Sequence, residues 1–214
     1  MIKKAIFILL ILVSALFSYS QVIKIQSGPS ISNLEWSIDN FVPRGNNEYL
    51  LGKSAFIGVD YLNRRYFNLS TNVGYLQKGD RSEVAYTVSE GNTMELPMME
   101  AKFEYLSANT MAEIKYPLMR ILVPYISVGP RFDFMISYPE ELSFIKEIEE
   151  ITPYSYGFNL GGGVKLDFRS LQLGVRSDYY LNLAKIANWV SASNSDSWIE
   201  DKTLLINFTL GYKL

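Results

Sequence analysis

Four pairs of charged residues, each of opposite sign and two positions apart, punctuate the chain: Glu113 with Lys115, Arg131 with Asp133, Lys165 with Asp167, and Arg176 with Asp178. Carboxylates beside cations serve acid–base catalysis, ion passage or structural pairing, and the rest of the composition decides among these. Histidine is absent, which rules out a Ser–His–Asp site and any histidine metal site. Cysteine is absent too, which removes disulfides, thiolate metal sites and a lipidated N-terminal cysteine. Asp133 with Asp167 would be the carboxylate pair for acid–base work, and no spacing argument supports it. Gly161-Gly162-Gly163 is followed by no Lys-Ser/Thr and opens no helix, so it is not a phosphate loop. Glycines in such a strand relieve crowding or permit a bend. The chain is therefore expected to be no enzyme, with no catalytic residue, no metal and no cofactor.

The residues between the charges explain what positions them. From Tyr156 to Phe168, the apolar Tyr156, Phe158, Leu160, Val164, Leu166 and Phe168 share one parity, and Gly157, Asn159, Gly161, Gly163, Lys165 and Asp167 the other. Successive strand side chains point to opposite faces, so this is a strand with one apolar face and one polar or small face. The segments 171–183, 204–214, 123–137, 103–117, 66–78 and 54–62 repeat the pattern. The segment 22–36 is the least regular, interrupted by Gly28 and Pro29. All four charged pairs fall on the polar parity.

Eight strands result, and their connections alternate. Short turns near 63–65, 118–122 and 169–170 alternate with long loops near 37–53, 79–102, 139–155 and 184–201. Strict alternation puts tight turns at one end and extended loops at the other, the layout of outer-membrane barrels. The expected fold is all-β, an eight-stranded antiparallel up-and-down transmembrane barrel, closed because lipid offers no partner to an unpaired edge. A soluble lipocalin-like barrel is the alternative. It would bury its apolar face inside, whereas here that arrangement would need Arg131, Asp133, Lys165, Asp167, Arg176 and Asp178 turned outward. Keeping them inside a soluble barrel would leave a belt of Phe, Leu and Tyr in water. Eight-stranded barrels are narrow and filled by side chains. Glu113, Lys115, Arg131, Asp133, Lys165, Asp167, Arg176 and Asp178 are thus expected to form an interior charge network that plugs the lumen. The alternative is a narrow pore or a small-solute-binding barrel.

Residues 1–20 read as a cleaved signal peptide: basic Lys3 and Lys4, an uncharged apolar run from Ala5 to Phe17, and Ser18 and Ser20 before a cut at Gln21. The run is shorter than the roughly 20 residues of a membrane-crossing helix. Residues 21–214 are the barrel domain. Removing Lys3 and Lys4 leaves 18 basic residues against 22 acidic ones, a net charge of −4, so no nucleic-acid partner is expected. Tyr66, Phe67, Tyr75, Tyr116, Tyr138, Phe168 and Tyr212 are candidates for the aromatic girdles. The long loops are acidic, with Glu90, Glu95, Glu100, Glu140, Glu141, Glu147, Glu149 and Glu150, while the short turns carry Arg64, Arg65, Arg120 and Arg169. Leu142, Ile145, Ile148 and Ile151 recur at about helical spacing among the glutamates, the pattern of a short amphipathic helix. Phe144, Trp189 and Trp198 are candidate loop contacts for a protein partner. Expected partners are outer-membrane lipid and lipopolysaccharide, and the barrel-assembly machinery during biogenesis.

Five segments together resemble the PorT-like outer-membrane β-barrel family of Gram-negative bacteria: Gly74-Tyr75-Leu76-Gln77-Lys78-Gly79, Pro124-Tyr125-Ile126-Ser127-Val128-Gly129-Pro130, the glycine-rich Gly157 to Lys165, Leu173-Gly174-Val175-Arg176 with Tyr179-Tyr180, and the ending Leu210-Gly211-Tyr212-Lys213-Leu214. They span the chain from about residue 66 onward. The resemblance implies an eight-stranded barrel with a periplasmic C-terminus. Its namesake is linked to a dedicated secretion system, but the family implies no single activity.

Overall fold

The computed structural model describes residues 21–37, 47–82, 85–87, 93–95, 99–138, 152–190 and 196–214. Its strands, in chain order, are β1 (Val22–Ser37), β2 (Asn47–Asp60), β3 (Phe67–Ser82), β4 (Ala85–Thr87), β5 (Thr93–Glu95), β6 (Met99–Lys115), β7 (Leu122–Ser137), β8 (Tyr154–Asp167), β9 (Leu171–Asn182), β10 (Ala187–Val190) and β11 (Asp196–Lys213). Eight of them close a barrel in the order β1-β2-β3-β6-β7-β8-β9-β11, each antiparallel to its neighbour, with β11 returning to β1. The closing ladder runs from Val22 opposite Lys213 to Ser37 opposite Trp198. Closure leaves none of the eight strands with an unpaired edge, the condition for a sheet to cross hydrocarbon. β4 and β5 form a separate small hairpin in the second long loop.

The alternation read from the sequence sets which side faces out. On β7, Ile126, Val128, Phe132, Phe134 and Ile136 are exposed, while Tyr125, Ser127, Arg131 and Asp133 are buried. Ile114, Ile57, Phe208, Leu210, Leu160, Val175 and Leu173 continue the exposed belt around the wall. A shallow depression of about 960 Å³ among Ile25, Ile57, Val73, Val175 and Phe208 is part of that outer surface. Leaving one large apolar side chain in water forgoes about 1.5–3 kcal/mol, and a belt on every strand far exceeds the patches soluble proteins carry. The interior is polar, the reverse of a lipocalin-like barrel. We read the strands as spanning a membrane.

β1 runs as one strand through Gly28 and Pro29, but its ladder to β11 skips both, passing from Ser27 opposite Phe208 to Ser30 opposite Leu205. Its ladder to β2 runs unbroken through Gly28 opposite Ser54 and Pro29 opposite Lys53. On the other side, a Cβ on Gly28 would lie 1.9 Å from the Ile206 carbonyl oxygen. The break is thus confined to the β11 side, where the backbones approach so closely that only glycine fits. The parity therefore continues inward through Lys24, Gln26, Ser30, Ser32 and Leu34.

The strands also reach further at the loop end than the hydrophobic pattern indicates, with β2 beginning at Asn47, β3 ending at Ser82, β6 beginning at Met99 and β11 at Asp196. Outward side chains there include charged pairs, Lys202 with Glu35 at 2.6 Å and Lys102 with Glu100 at 2.5 Å, beside the exposed Tyr49 and Leu51 of β2. The fourth long loop also contains β10, which pairs Ala187 with Ile199 through Val190 with Asp196. Residues 1–20, the acidic third loop with its expected helix, and Phe144 lie outside the described residues, as does the side chain of Trp189.

Gly79 ends the regular wall of β3 with φ of +154°. Its N–H donates to Ser32 Oγ at 2.8 Å, and an added Cβ would sit 1.7 Å from the Ala101 carbonyl oxygen. Gly79→Ala is expected to destabilise the folded barrel by more than about 1 kcal/mol, read as a lower urea midpoint for the folded gel band. An unchanged midpoint would show that the strand yields at no cost.

Candidate functional site

The lumen is filled in layers. Nearest the short turns, Lys24, Asp60, Glu113, Lys165, Arg176 and Asp178 converge from β1, β2, β6, β8 and β9, all almost fully buried. Lys24 Nζ lies 2.6 Å from Asp60 Oδ1, and Lys165 Nζ pairs with Glu113 and reaches Asp60 at 3.8 Å. Arg176 joins Asp178 at 2.5 Å and Glu113 at 3.6 Å. Asn68 donates its amide to Glu113 Oε2 at 2.9 Å, and the Lys165 ammonium sits 4.6 Å from the centre of the Tyr125 ring. Three cations thus meet three carboxylates, the neutrality that buried charge requires. Glycine makes room for them: a Cβ on Gly161 would meet Asp178 Oδ1 at 2.1 Å, and one on Gly163 the Tyr125 hydroxyl at 2.8 Å.

Amides and hydroxyls fill the middle, with Asn72 donating to Asn109 at 2.7 Å and Ser54 to Asn207 at 2.6 Å. Phe56, Leu76, Tyr180 and Leu205 form an apolar layer beside them. Towards the loops a second ionic group follows. Lys78 Nζ pairs with Asp133 at 2.7 Å and with Asp201 at 3.2 Å, and Arg131 pairs with Asp133 and with Asn182. The Arg131 guanidinium lies 4.1 Å over the Tyr180 ring, and Lys78 lies between the Tyr105 and Tyr180 rings at 4.9 and 5.2 Å. Two cations again meet two carboxylates. Above them Leu34, Phe103, Tyr105, Ile186, Ala187 and Ile199 pack into an apolar cap across the loop-end mouth, with Met135 and Tyr138 against it. Tyr138 accordingly leans on the cap instead of joining a lipid girdle. A register shift beside Glu104 and Tyr105, where β7 pairs with β6, breaks the parity just before it.

Of the eight charged residues singled out in the sequence, Glu113, Arg131, Asp133, Lys165, Arg176 and Asp178 meet in these two groups. Lys115 and Asp167 stand at the turn-end mouth instead. There Lys115 Nζ donates to Asn63 Oδ1 at 2.5 Å, and Asp167 pairs with Lys213. Lys24, Asp60, Lys78 and Asp201 complete the groups and were not among the eight. Their signal was present: Lys24 alternates with Ile23 and Ile25, and Asp201 shares the parity of Thr203 and Asn207. At the loop end Trp198 lies under the Lys185 ammonium, 4.7 Å from its ring. Tyr75, next to the loop-end segment, donates its hydroxyl to Glu104 at 2.7 Å. Above the belt, the hydrogen bond and charge of Lys102 hold the Glu100 carboxyl below its ordinary range.

No protein-family model and no curated protein sequence matches the chain. Solved structures do. The outer membrane protein OprG from Pseudomonas aeruginosa superposes with a TM-score of 0.54 at 10% identity, covering 91% of this chain and 96% of that one. The fold is that of an outer-membrane β-barrel. Neisserial surface protein A matches at 0.46 and 12% identity over 91% of this chain and 97% of that one. The outer membrane protease OmpT from Escherichia coli matches at 0.45 and 10% identity over 92% and 98%. The last two likenesses are too distant to carry a functional argument. OprG supports the fold and leaves the role to be argued from the residues.

Proposed function

We propose that the chain is an integral outer-membrane protein with a closed lumen, exported through a signal peptide at 1–20, with 21–214 as the barrel domain. Its role is structural, accessory to assembly or secretion, or binding through its loops. The observation that carries this reading is the filling of the lumen: two neutral ion-pair groups, an apolar layer between them, and an apolar cap at the loop-end mouth. With the interior occupied, the surfaces left for partners are the acidic loops, the extended loop-end sheet and the turns. Absence of histidine and cysteine favours a non-enzymatic role. The five PorT-like segments favour that family, and with it the secretion-accessory version of the role. Lipopolysaccharide, the barrel-assembly machinery and a protein met by the acidic loops are the proposed partners.

Planar-bilayer recording tests the closed lumen. The folded protein is expected to give no reproducible channels. Steady single-channel steps that disappear in Arg131→Ala or Arg176→Ala would overturn the reading in favour of a narrow pore. In intact cells, a photo-crosslinker at Trp198 is expected to capture a protein; recovery of lipid alone would remove the loop-binding version.

A further inference from the structure

The turn end of the barrel differs from the loop end in having no apolar cap among the described residues. It opens instead as a pocket of about 410 Å³ with cationic walls. Arg64 and Arg65 come from the β2–β3 turn, Arg120 from the β6–β7 turn, and Lys115 and Lys165 from the barrel wall, with Asp167 the single carboxylate among the lining residues. That carboxylate is engaged by Lys213, and Lys165 is engaged by Glu113 and Asp60. Lys115 is placed differently. It is 8% exposed, and its ammonium donates to the neutral Asn63 amide oxygen and forms no ion pair among the described residues. An ammonium carries three donors, and the carboxylates that act on this one, Glu113, Asp60 and Asp167, form no contact ion pair with it. Neither this lysine nor the turn arginines belong to the two ion-pair groups that fill the lumen.

We propose that this mouth is an anion-binding site that takes a phosphate group, with Lys115 as its buried counter-charge and Arg64, Arg65 and Arg120 as its rim. Guanidinium forks match phosphate oxygens, and a phosphate offers several acceptors to cations converging from different elements. The group has two sources, the headgroup of a phospholipid in the leaflet at the turn end or a soluble phosphate compound. Exposed Tyr66, Tyr116, Leu118 and Met119 surround the same turns, and the Arg65 guanidinium stacks 5.1 Å over the Tyr66 ring. Aromatic and apolar side chains at that height belong to a bilayer interface, which favours the headgroup.

The test uses the full folded barrel. In detergent at low salt it is titrated with inorganic phosphate, read by ³¹P line broadening. In parallel, native mass spectrometry measures retention of phosphatidylglycerol against phosphatidylcholine. At least one anion is expected to bind, and that binding is expected to fall tenfold or more in Lys115→Met and in the Arg64→Gln/Arg120→Gln double variant. Lys202→Gln at the opposite end should leave it unchanged. Preferred retention of phosphatidylglycerol with no phosphate response assigns the headgroup; the converse assigns a soluble phosphate. Binding of neither, or equal binding by wild type and both mouth variants, overturns the proposal. Should Lys115→Met fail to fold, the exposed-turn variant decides alone. The phosphate titration does not depend on the outer-membrane reading, whose own failure would show as release of the protein by carbonate wash.

Discussion

Glu113→Ala is expected to destabilise the folded barrel by about 3–5 kcal/mol, the usual cost of breaking a buried ion pair from one side. Glu113 is where the turn-end ionic group is tied together. It pairs with Lys165 from β8 and Arg176 from β9, and accepts from Asn68 on β3. Without it, three cations share the two carboxylates of Asp60 and Asp178, and the surplus charge stays buried because Lys24, Lys165 and Arg176 are almost fully withdrawn from solvent. Glu113→Gln separates charge from volume, since it keeps the shape and loses the charge; it should retain most of the loss. Adding Lys165→Met to Glu113→Gln restores neutrality and should recover a large part of the stability. The measurement is the urea midpoint of the heat-modifiable folded band in lipid vesicles. A loss below about 1 kcal/mol for both single variants would mean that water reaches this layer and screens it, and the plugged-lumen reading would fall with it.

The same residues mark how far a sequence goes. The wall was legible because period-two alternation is a local signal: Ile126 and Val128 outward, Ser127 and Arg131 inward, each readable from its own neighbours. The pairing of charges was half legible. Arg131 and Asp133 share a strand, and their contact follows from spacing alone. Lys78 with Asp201 joins β3 to β11 across the lumen, a relation set by barrel closure and strand stagger that no local pattern encodes. The cap is of the same kind. Ile186 and Ala187 lie in what reads as a long loop, and they become core because β10 folds back along β11 and carries them over the mouth. The turn-end mouth was legible only as a run of arginines; the burial of Lys115 behind them came from the structure.

Val128→Arg is expected to cost the barrel about 2–4 kcal/mol in a bilayer, the penalty of a cation near the midplane of a membrane barrel. Val128 is mid-strand on β7, exposed, and flanked on its own face by Ala112 of β6 and Leu160 of β8. Nothing in the protein contacts would account for such a cost, because an exposed valine in water accepts arginine at little penalty. The expected loss is therefore a property of the surroundings. Leu118→Arg is the internal comparison: this leucine is also exposed, but sits in the β6–β7 turn beside Arg120, where an added cation should cost about 0–1 kcal/mol. Folding into vesicles, followed by the shift in urea midpoint of the folded gel band, gives both numbers. A difference of about 2 kcal/mol between the two sites places Val128 in hydrocarbon. Equal and small losses would mean that the belt of Ile, Leu, Val and Phe meets water or another protein, and the chain would then have to be reconsidered as a barrel that hides its apolar wall in an assembly.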